Sequence, residues 1–287
     1  MTEKRFMEVA LKADVDSGEL LSLLPEGEAL GSWEMDGVIH IYWNEEQWRP
    51  ALLEDLKRAL ARLGIEDGDA RLSVNSVPDE DWNAAWVASL QPIRIGRQIR
   101  IRQSWHPADT SFKGIELIVD PQRAFGSGYH ATTQLVLEWL EDNIKPGDRV
   151  LDIGTGSGIL AMTAIRLGAA AALGIDNDPV ALECAGEMSA ANGFGPELEL
   201  RVAAMEETDC GPFDIVVANL DGRTLPRLCR VLPAMLKTGG KACFSGLQEE
   251  SYVEIAAAAA KADLAVTLRM TRDGWLALEV RTGLNLA

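Results

Sequence analysis

Cysteine is scarce in this chain, and basic charge is outweighed. Four cysteines stand among 287 residues, Cys184, Cys210, Cys229 and Cys243, and no two have CxxC spacing. That pattern excludes a disulfide framework and argues against a cysteine metal site; the thiols are expected to be buried, in a reducing compartment. No run approaches the roughly 18 apolar residues of a membrane span, because the alanines at 256–260 are flanked by Glu254 and Lys261. The first residues lead into Phe6-Met7-Glu8-Val9 with no apolar region of signal-peptide type. A cytoplasmic protein is expected. Lysine and arginine total 27 against 44 acidic residues, a net charge of -17. Phosphate repulsion therefore argues against nucleic acid as a direct partner. A basic protein or a cationic small molecule is easier to attract.

What is present divides into two parts, and 47% hydrophobic residues can fill two cores. Residues 1–78 read as a small domain of order β-α-β-β-α-β, a ferredoxin-like arrangement. Its strands are expected at Arg5 to Ala13, Ala29 to Met35, Val38 to Trp43 and Arg71 to Val77. Its helices are expected at Ser17 to Leu24 and Trp48 to Leu63, the second with Leu52, Leu53, Leu56, Ala59, Leu60 and Leu63 on one face. This segment holds 16 acidic and 8 basic residues, a net of -8, and no group at catalytic spacing. An acidic, catalytically silent domain suggests recognition of a substrate. Residues 79–91 read as a linker helix with Trp82, Trp86 and Leu90 on one stripe. The larger domain then runs over 92–287. It starts with Ile93, Ile95, Ile99 and Ile101 interleaved with Arg94, Arg97, Arg100 and Arg102, two strands with an expected solvated basic face.

The loop at 120–133 contains Phe125, Gly126, Gly128, His130, Thr132 and Thr133 immediately before a helix expected over Gln134 to Leu140. Glycine lets the backbone approach a ligand closely, and Thr132 or Thr133 is expected to cap the helix. The combination reads as a lid on a bound cofactor.

The rest of the chain is organised around Val150 to Pro179. A buried strand, Arg149 to Ile153, runs into Gly154, Gly156 and Gly158, then a helix from Ile159 and a second strand ending at Asp176. Strand, glycine loop, helix, strand and acid bind an adenosine-containing ligand at the carboxyl edge of a parallel sheet. A dinucleotide fingerprint needs glycine where Ile159 stands. The motif present is D-x-G-x-G-x-G, from Asp152 to Gly158. Its tight loop suits S-adenosylmethionine, with Asp152 facing the ammonium of the tail and Asp176 accepting both ribose hydroxyls. Met205 and Glu206 follow the next strand, where an adenine edge could be contacted. The alternation continues through Phe213 to Ala218 and Lys241 to Ser245. It ends in a hairpin, Ala265 to Thr271 and Trp275 to Val280, a mark of the seven-stranded methyltransferase fold.

At this point the chain resembles the ribosomal protein L11 methyltransferase family, of the Rossmann-like S-adenosylmethionine-dependent class. The resemblance covers nearly the whole chain. It is carried by Asp81-Trp82 to Trp86, Pro92 to Trp105, Asp120-Pro121 with Ala124 to Thr133, Asp152 to Leu160, Gly174 to Pro179, and Val217 to Asn219. It implies a ferredoxin-like recognition domain joined to a catalytic α/β domain, and methylation of amines on L11 or a similar protein. The cofactor contacts it implies are Thr133, Gly154, Asp176 and Asn219, with Phe125, Gly126 and His130 close by. The chain departs from the family in Tyr129, Ala131 and Thr155. It also reads Asn219-Leu-Asp-Gly222 where an Asn-Ile-Leu-Ala sequence is usual, which sets Asp221 beside the implied methyl-transfer position. Asn219 and Asp221 are thus the candidate catalytic residues. A Ser-His-Asp or Cys-His arrangement is neither needed nor evident. Two other readings stay open: a related methyltransferase with another protein or a small-molecule acceptor, and a non-catalytic S-adenosylmethionine-binding protein.

Overall fold

A computed structural model describes residues 5–13, 15, 20–21, 23–24, 29, 31–35, 37–65, 71–78, 90–121, 124–207 and 211–282. The chain divides into two compact units, Met1–Ala88 and Ser89–Ala287.

In the first unit, β1 (Arg5–Lys12), β2 (Gly31–Met35), β3 (Val38–Asn44) and β4 (Arg71–Pro78) form one sheet in the order β2-β3-β1-β4. Every pairing is antiparallel, as in a ferredoxin-like sheet. Helix α1 (Pro50–Arg62) starts on a proline at its first position, where a missing N–H costs no hydrogen bond. It buries Leu52, Leu56, Ala59 and Leu60 against Val9, Leu11, Ile39, Ile41 and Trp43. The helix expected over Ser17 to Leu24 falls largely outside the described residues, as does the linker helix with Trp82 and Trp86.

The second unit opens with a small sheet of β5 (Ile93–Ile95), β6 (Ile99–Arg102) and β7 (Ile115–Ile118). Only half of the basic face expected here is solvated: Arg94 and Arg97 are exposed, and Arg100 and Arg102 are not. Arg100 and Arg102 both pair with Glu116, Arg102 at 2.8 Å, with side chains only 14% and 13% exposed. The third strand, parallel to β6, brings the carboxylate that neutralises them. Arg97 is tied to α2 (Ala131–Asn143) through Asp142 at 2.6 Å.

The main sheet comprises β8 (Arg149–Ile153), β9 (Ala171–Asp176), β10 (Leu198–Val202), β11 (Phe213–Asn219), β12 (Leu236–Gln248), β13 (Leu264–Arg272) and β14 (Trp275–Thr282). Their order is β10-β9-β8-β11-β12-β14-β13. The first five are parallel, and β14 runs antiparallel to both neighbours. The closing turn uses left-handed Asp273 and Gly274, at φ 51° and 77°, the geometry a two-residue hairpin loop requires. Residues 237–240 form a bulge in β12: Phe213 pairs with Leu236, yet Ile215 pairs with Lys241.

Helices cover both faces. Helices α2, α3 (Ile159–Arg166) and α4 (Pro179–Ala191) pack on one, and α5 (Leu225–Met235) and α6 (Tyr252–Lys261) on the other. This explains why the central strands are apolar without alternation: in β11, Ile215 and Val217 join the first core while Val216 and Ala218 join the second. Trp139 of α2 is 2% exposed and donates its indole N–H to Glu279 of β14 at 2.9 Å. Strand order reverses between β8 and β11, and ligands of open α/β sheets bind in the crevice beyond the strand ends at such a point.

Candidate active site

The glycine loop closes over the carboxyl ends of β8 and β9. Gly154, Gly156 and Gly158 all take left-handed φ values of 70°, 54° and 79°, which bulkier residues rarely adopt. The amides of Gly154 and Thr155 both donate to the Ile175 carbonyl, at 2.9 and 3.0 Å. The amide of Gly156 donates to Asp176 Oδ2 at 3.0 Å, and that of Asp178 to Oδ1 at 3.1 Å. Asp176 therefore fixes the loop and keeps lone pairs for a ligand.

Asp152 lies beneath the loop, 0% exposed. Its Oδ2 accepts from the Thr155 hydroxyl at 2.7 Å and the Ala161 amide at 3.2 Å, while Oδ1 has no partner. Burial pushes this carboxyl up to about 7; the two hydrogen bonds oppose the shift and the charge of Asp176 adds to it.

The segment 124–128 straps onto this loop. The Ser157 amide donates to the Phe125 carbonyl at 3.0 Å, and its hydroxyl to the Gly126 carbonyl at 2.7 Å. A Cβ on Gly126 would lie 2.7 Å from that hydroxyl, and one on Gly128 2.5 Å from Ile101 Cδ1. Phe125 is left 58% exposed. The following helix begins earlier than expected. His130, not Thr132 or Thr133, is the N-cap of α2, its side chain accepting from the Thr132 amide. Both threonines are inside the first turn and 1% exposed, because their hydroxyls serve another purpose: Asn219 Nδ2 donates to them at 3.2 and 3.3 Å.

These elements enclose a cavity of about 490 Å³, within the roughly 300–1,000 Å³ of small-molecule sites. Phe125, Gly154, Gly156, Asp176, Asn219 and Asp221 line it. Gly126, His130, Thr133 and Asp152 do not; they stand behind those residues and hold them. For Asp152 this changes the expected contact with an ammonium group, because the glycine loop lies over its carboxyl.

Asp221 caps the turn leading into α5. Its Oδ1 accepts from the amides of Arg223 and Thr224, at 2.8 and 3.0 Å, and Oδ2 from the Thr224 hydroxyl at 2.8 Å. Partial burial pushes its pKa up, but these hydrogen bonds outweigh that, and the carboxyl lies below its ordinary range. Met205, Glu206 and Arg227 also line the cavity. Arg227 pairs with Glu206 at 2.6 Å, a contact with no signal in the sequence because it joins separate elements 21 residues apart.

The residues fit the cofactor that the sequence leads one to expect. An acceptor-only carboxylate stands at the β9 terminus for ribose hydroxyls, beside left-handed glycines that let a ligand approach the backbone closely. Among the described residues, no group of three or more His, Cys, Asp or Glu side chains is placed to hold a metal ion.

Comparison with known proteins agrees with this geometry. The family model described as "Ribosomal protein L11 methyltransferase (PrmA)" matches residues 16–283. A ribosomal protein L11 methyltransferase of Cupriavidus necator is 36% identical over 252 residues, spanning 88% of this chain and 80% of that one. One of Ectopseudomonas mendocina is 40% identical over 204 residues, 71% and 68% of the two chains. The crystal structure of a ribosomal protein L11 methylase from Lactobacillus delbrueckii subsp. bulgaricus superposes with a TM-score of 0.64 at 31% identity, covering 67% of this chain and 99% of that one. The chain belongs to the ribosomal protein L11 methyltransferase family and is a methyltransferase.

Proposed function

We propose that the protein uses S-adenosylmethionine to methylate amines, lysine side chains or an N-terminal amine, of ribosomal protein L11 or a similar protein. The observation that carries this reading is the pairing of Asp176 and Asn219 in one cavity. Asp176 would hold the ribose, and Asn219 would meet the acceptor. When bound, the cofactor supplies a methyl group on a positively charged sulfur, so the chain need provide no nucleophile.

The chain's own task is positioning. With Nδ2 of Asn219 taken by two threonines, its Oδ1 remains to accept a hydrogen bond from the acceptor amine. A lysine of reference pKa about 10.4 must lose a proton first, at a cost of roughly 4.6 kcal/mol at pH 7. A neutral amide oxygen orients the amine without stabilising its charged form as a carboxylate would. Three donors of its own turn, two amides and a hydroxyl, hold the Asp221 carboxylate in place. We assign it the role of holding the turn that leads into α5 and a negative charge at the cavity rim, which attracts a cationic side chain.

Residues 1–78, with a net charge of -8, are the proposed dock for a basic protein substrate. That substrate would place the reaction in the cytoplasm, and the overall charge of -17 favours protein over nucleic acid as the direct partner. No helix among the described residues is long and apolar enough to cross a membrane.

The test combines calorimetry with S-adenosylmethionine and incubation of labelled cofactor with isolated L11 and with cell extract. The reading expects cofactor binding and label on L11. Label on another acceptor alone would replace the substrate, and binding without transfer would make the chain a non-catalytic binder. Asp176→Ala should weaken cofactor binding at least about a hundredfold, roughly 2.7 kcal/mol; unchanged affinity would refute the ribose assignment.

A further inference from the structure

Asn219 can present its oxygen to the acceptor only if its amide points one way, and a carboxamide is nearly symmetric in shape. The structure supplies a reason for that direction. Asn219 Nδ2 lies 3.2 Å from Thr132 Oγ1, and Thr132 Oγ1 lies 2.7 Å from His130 Nδ1. The same ring nitrogen accepts from the Thr132 amide at 3.3 Å. A backbone N–H can only donate, so Nδ1 must carry a lone pair and the ring hydrogen must sit on Nε2. The single hydroxyl proton of Thr132 then shares the Nδ1 lone pair with that amide, as the shorter of the two contacts, and the hydroxyl turns its own lone pairs toward Asn219. An amide NH2, not an amide oxygen, must face them.

The ring has little freedom to undo this. His130 meets Trp275 edge-on, centroids 4.7 Å apart at 68°, and Phe125 at 5.6 Å and 66°. Thr132 and Thr133 are each 1% exposed, so bulk water does not compete for their hydroxyls.

We propose that His130 is a positioning residue that acts through Thr132 to turn the Asn219 amide, so that its Oδ1 faces the cavity and receives the acceptor amine. The inference rests on the assignment of Asn219 to the acceptor. A proton on Nδ1 would face the Thr132 amide N–H and reverse the hydroxyl, removing one of the two acceptors that hold the Asn219 NH2 and leaving only the longer one, Thr133, at 3.3 Å. The neighbours that face the ring, Phe125 of the loop, Thr132 of α2 and Trp275 of β14, carry no titratable group. Burial alone holds the ring below its usual 6.5, so the relay is intact at neutral pH and fails only on the acid side.

The first test is 15N NMR of the full-length, cofactor-free protein with labelled histidine, the His130 ring pair being assigned among the three histidines with His130→Gln. The expected result is a neutral His130 with Nδ1 unprotonated at pH 7, titrating below 6.5. A proton on Nδ1 in the neutral ring would overturn the proposal. The second test compares Thr132→Val with Thr132→Ser. In the valine variant kcat should fall about tenfold, the worth of one ordinary hydrogen bond, with cofactor affinity kept within about twofold and serine restoring the rate. An equal loss of cofactor affinity, or no rescue by serine, would mark Thr132 as packing only and overturn it. The NMR experiment needs neither cofactor nor acceptor, so the relay and the functional reading can fail separately.

Discussion

Asp152 carries the largest electrostatic strain in the site. Its carboxyl is raised to about 7 in the folded chain, above its unfolded value near 3.9. The folded state therefore holds the proton more tightly. The stability this contributes is fully present below about pH 4 and is lost as pH rises through about 7. Asp152→Asn keeps an acceptor for Thr155 and Ala161 but cannot ionise. Its advantage over the parent in urea unfolding should grow between pH 4 and 7 to the order of 2–4 kcal/mol, then level off; a pH-independent difference would contradict the assignment. Asp221 calls for a different experiment. As a turn cap, Asp221→Ala should cost about 1 kcal/mol of unfolding free energy, and Asp221→Asn less than half of that. A loss of turnover far beyond the loss of stability, in both variants, would instead return it to the catalytic role that its place beside Asn219 first suggested. The sequence could place Asp221 near the acceptor but not reveal that its carboxylate accepts three hydrogen bonds from its own turn, because that depends on how the chain turns at Gly222 to Thr224.

At the scale of elements, the glycine loop and the 124–128 strap are one structure. A Cβ on Gly156 would lie 2.4 Å from the Phe125 carbonyl oxygen, a backbone atom that cannot step aside; a Cβ on Gly154 would meet the tip of Leu220 at 2.4 Å. Both positions have positive φ, so each alanine variant should lose on the order of 1–3 kcal/mol. Gly156→Ala should be the worse, and should also displace the strap and weaken cofactor binding. Comparing urea midpoints and calorimetric affinities for the two variants checks this, and equal effects would show that the strap is not held by the loop. Spacing made the glycines legible as a ligand loop. It did not show Ser157 as the donor joining loop to strap, since a serine between two glycines reads as a turn residue. The start of α2 was misplaced for a related reason. Threonine is a common cap, and only the partner Asn219, 86 residues away, explains why Thr133 lies inside the helix.

At the scale of the molecule, two compact units invite a division of labour. Residues 89–287 expressed alone should bind S-adenosylmethionine within about twofold of the full chain, while transfer to a protein acceptor falls by more than about tenfold. If transfer is retained, substrate recognition resides in the catalytic unit and the dock proposed for residues 1–78 is wrong. The acidic charge of the first unit also implies that KM for a basic protein should rise with salt, since screening shortens the reach of exposed charge to about 8 Å at physiological ionic strength.

Local rules in the sequence were enough for the order of strands and helices in the larger unit, the glycine loop, the acid at the end of β9 and the closing hairpin. Each depends on periodicity or on a backbone angle that few residues can take. They were also enough to show a family resemblance that the comparisons establish. Tertiary structure decided everything that depends on partners distant in the chain. It paired Arg100 and Arg102 with Glu116, closed the cavity with Arg227 and Glu206, and buried Asp152 beneath the loop it was expected to serve from the front. It also joined Thr132 to Asn219 across 87 residues. A hydrogen bond is directional and short, so which donor meets which acceptor is set by how the elements pack, and no pattern along a single strand or helix records it.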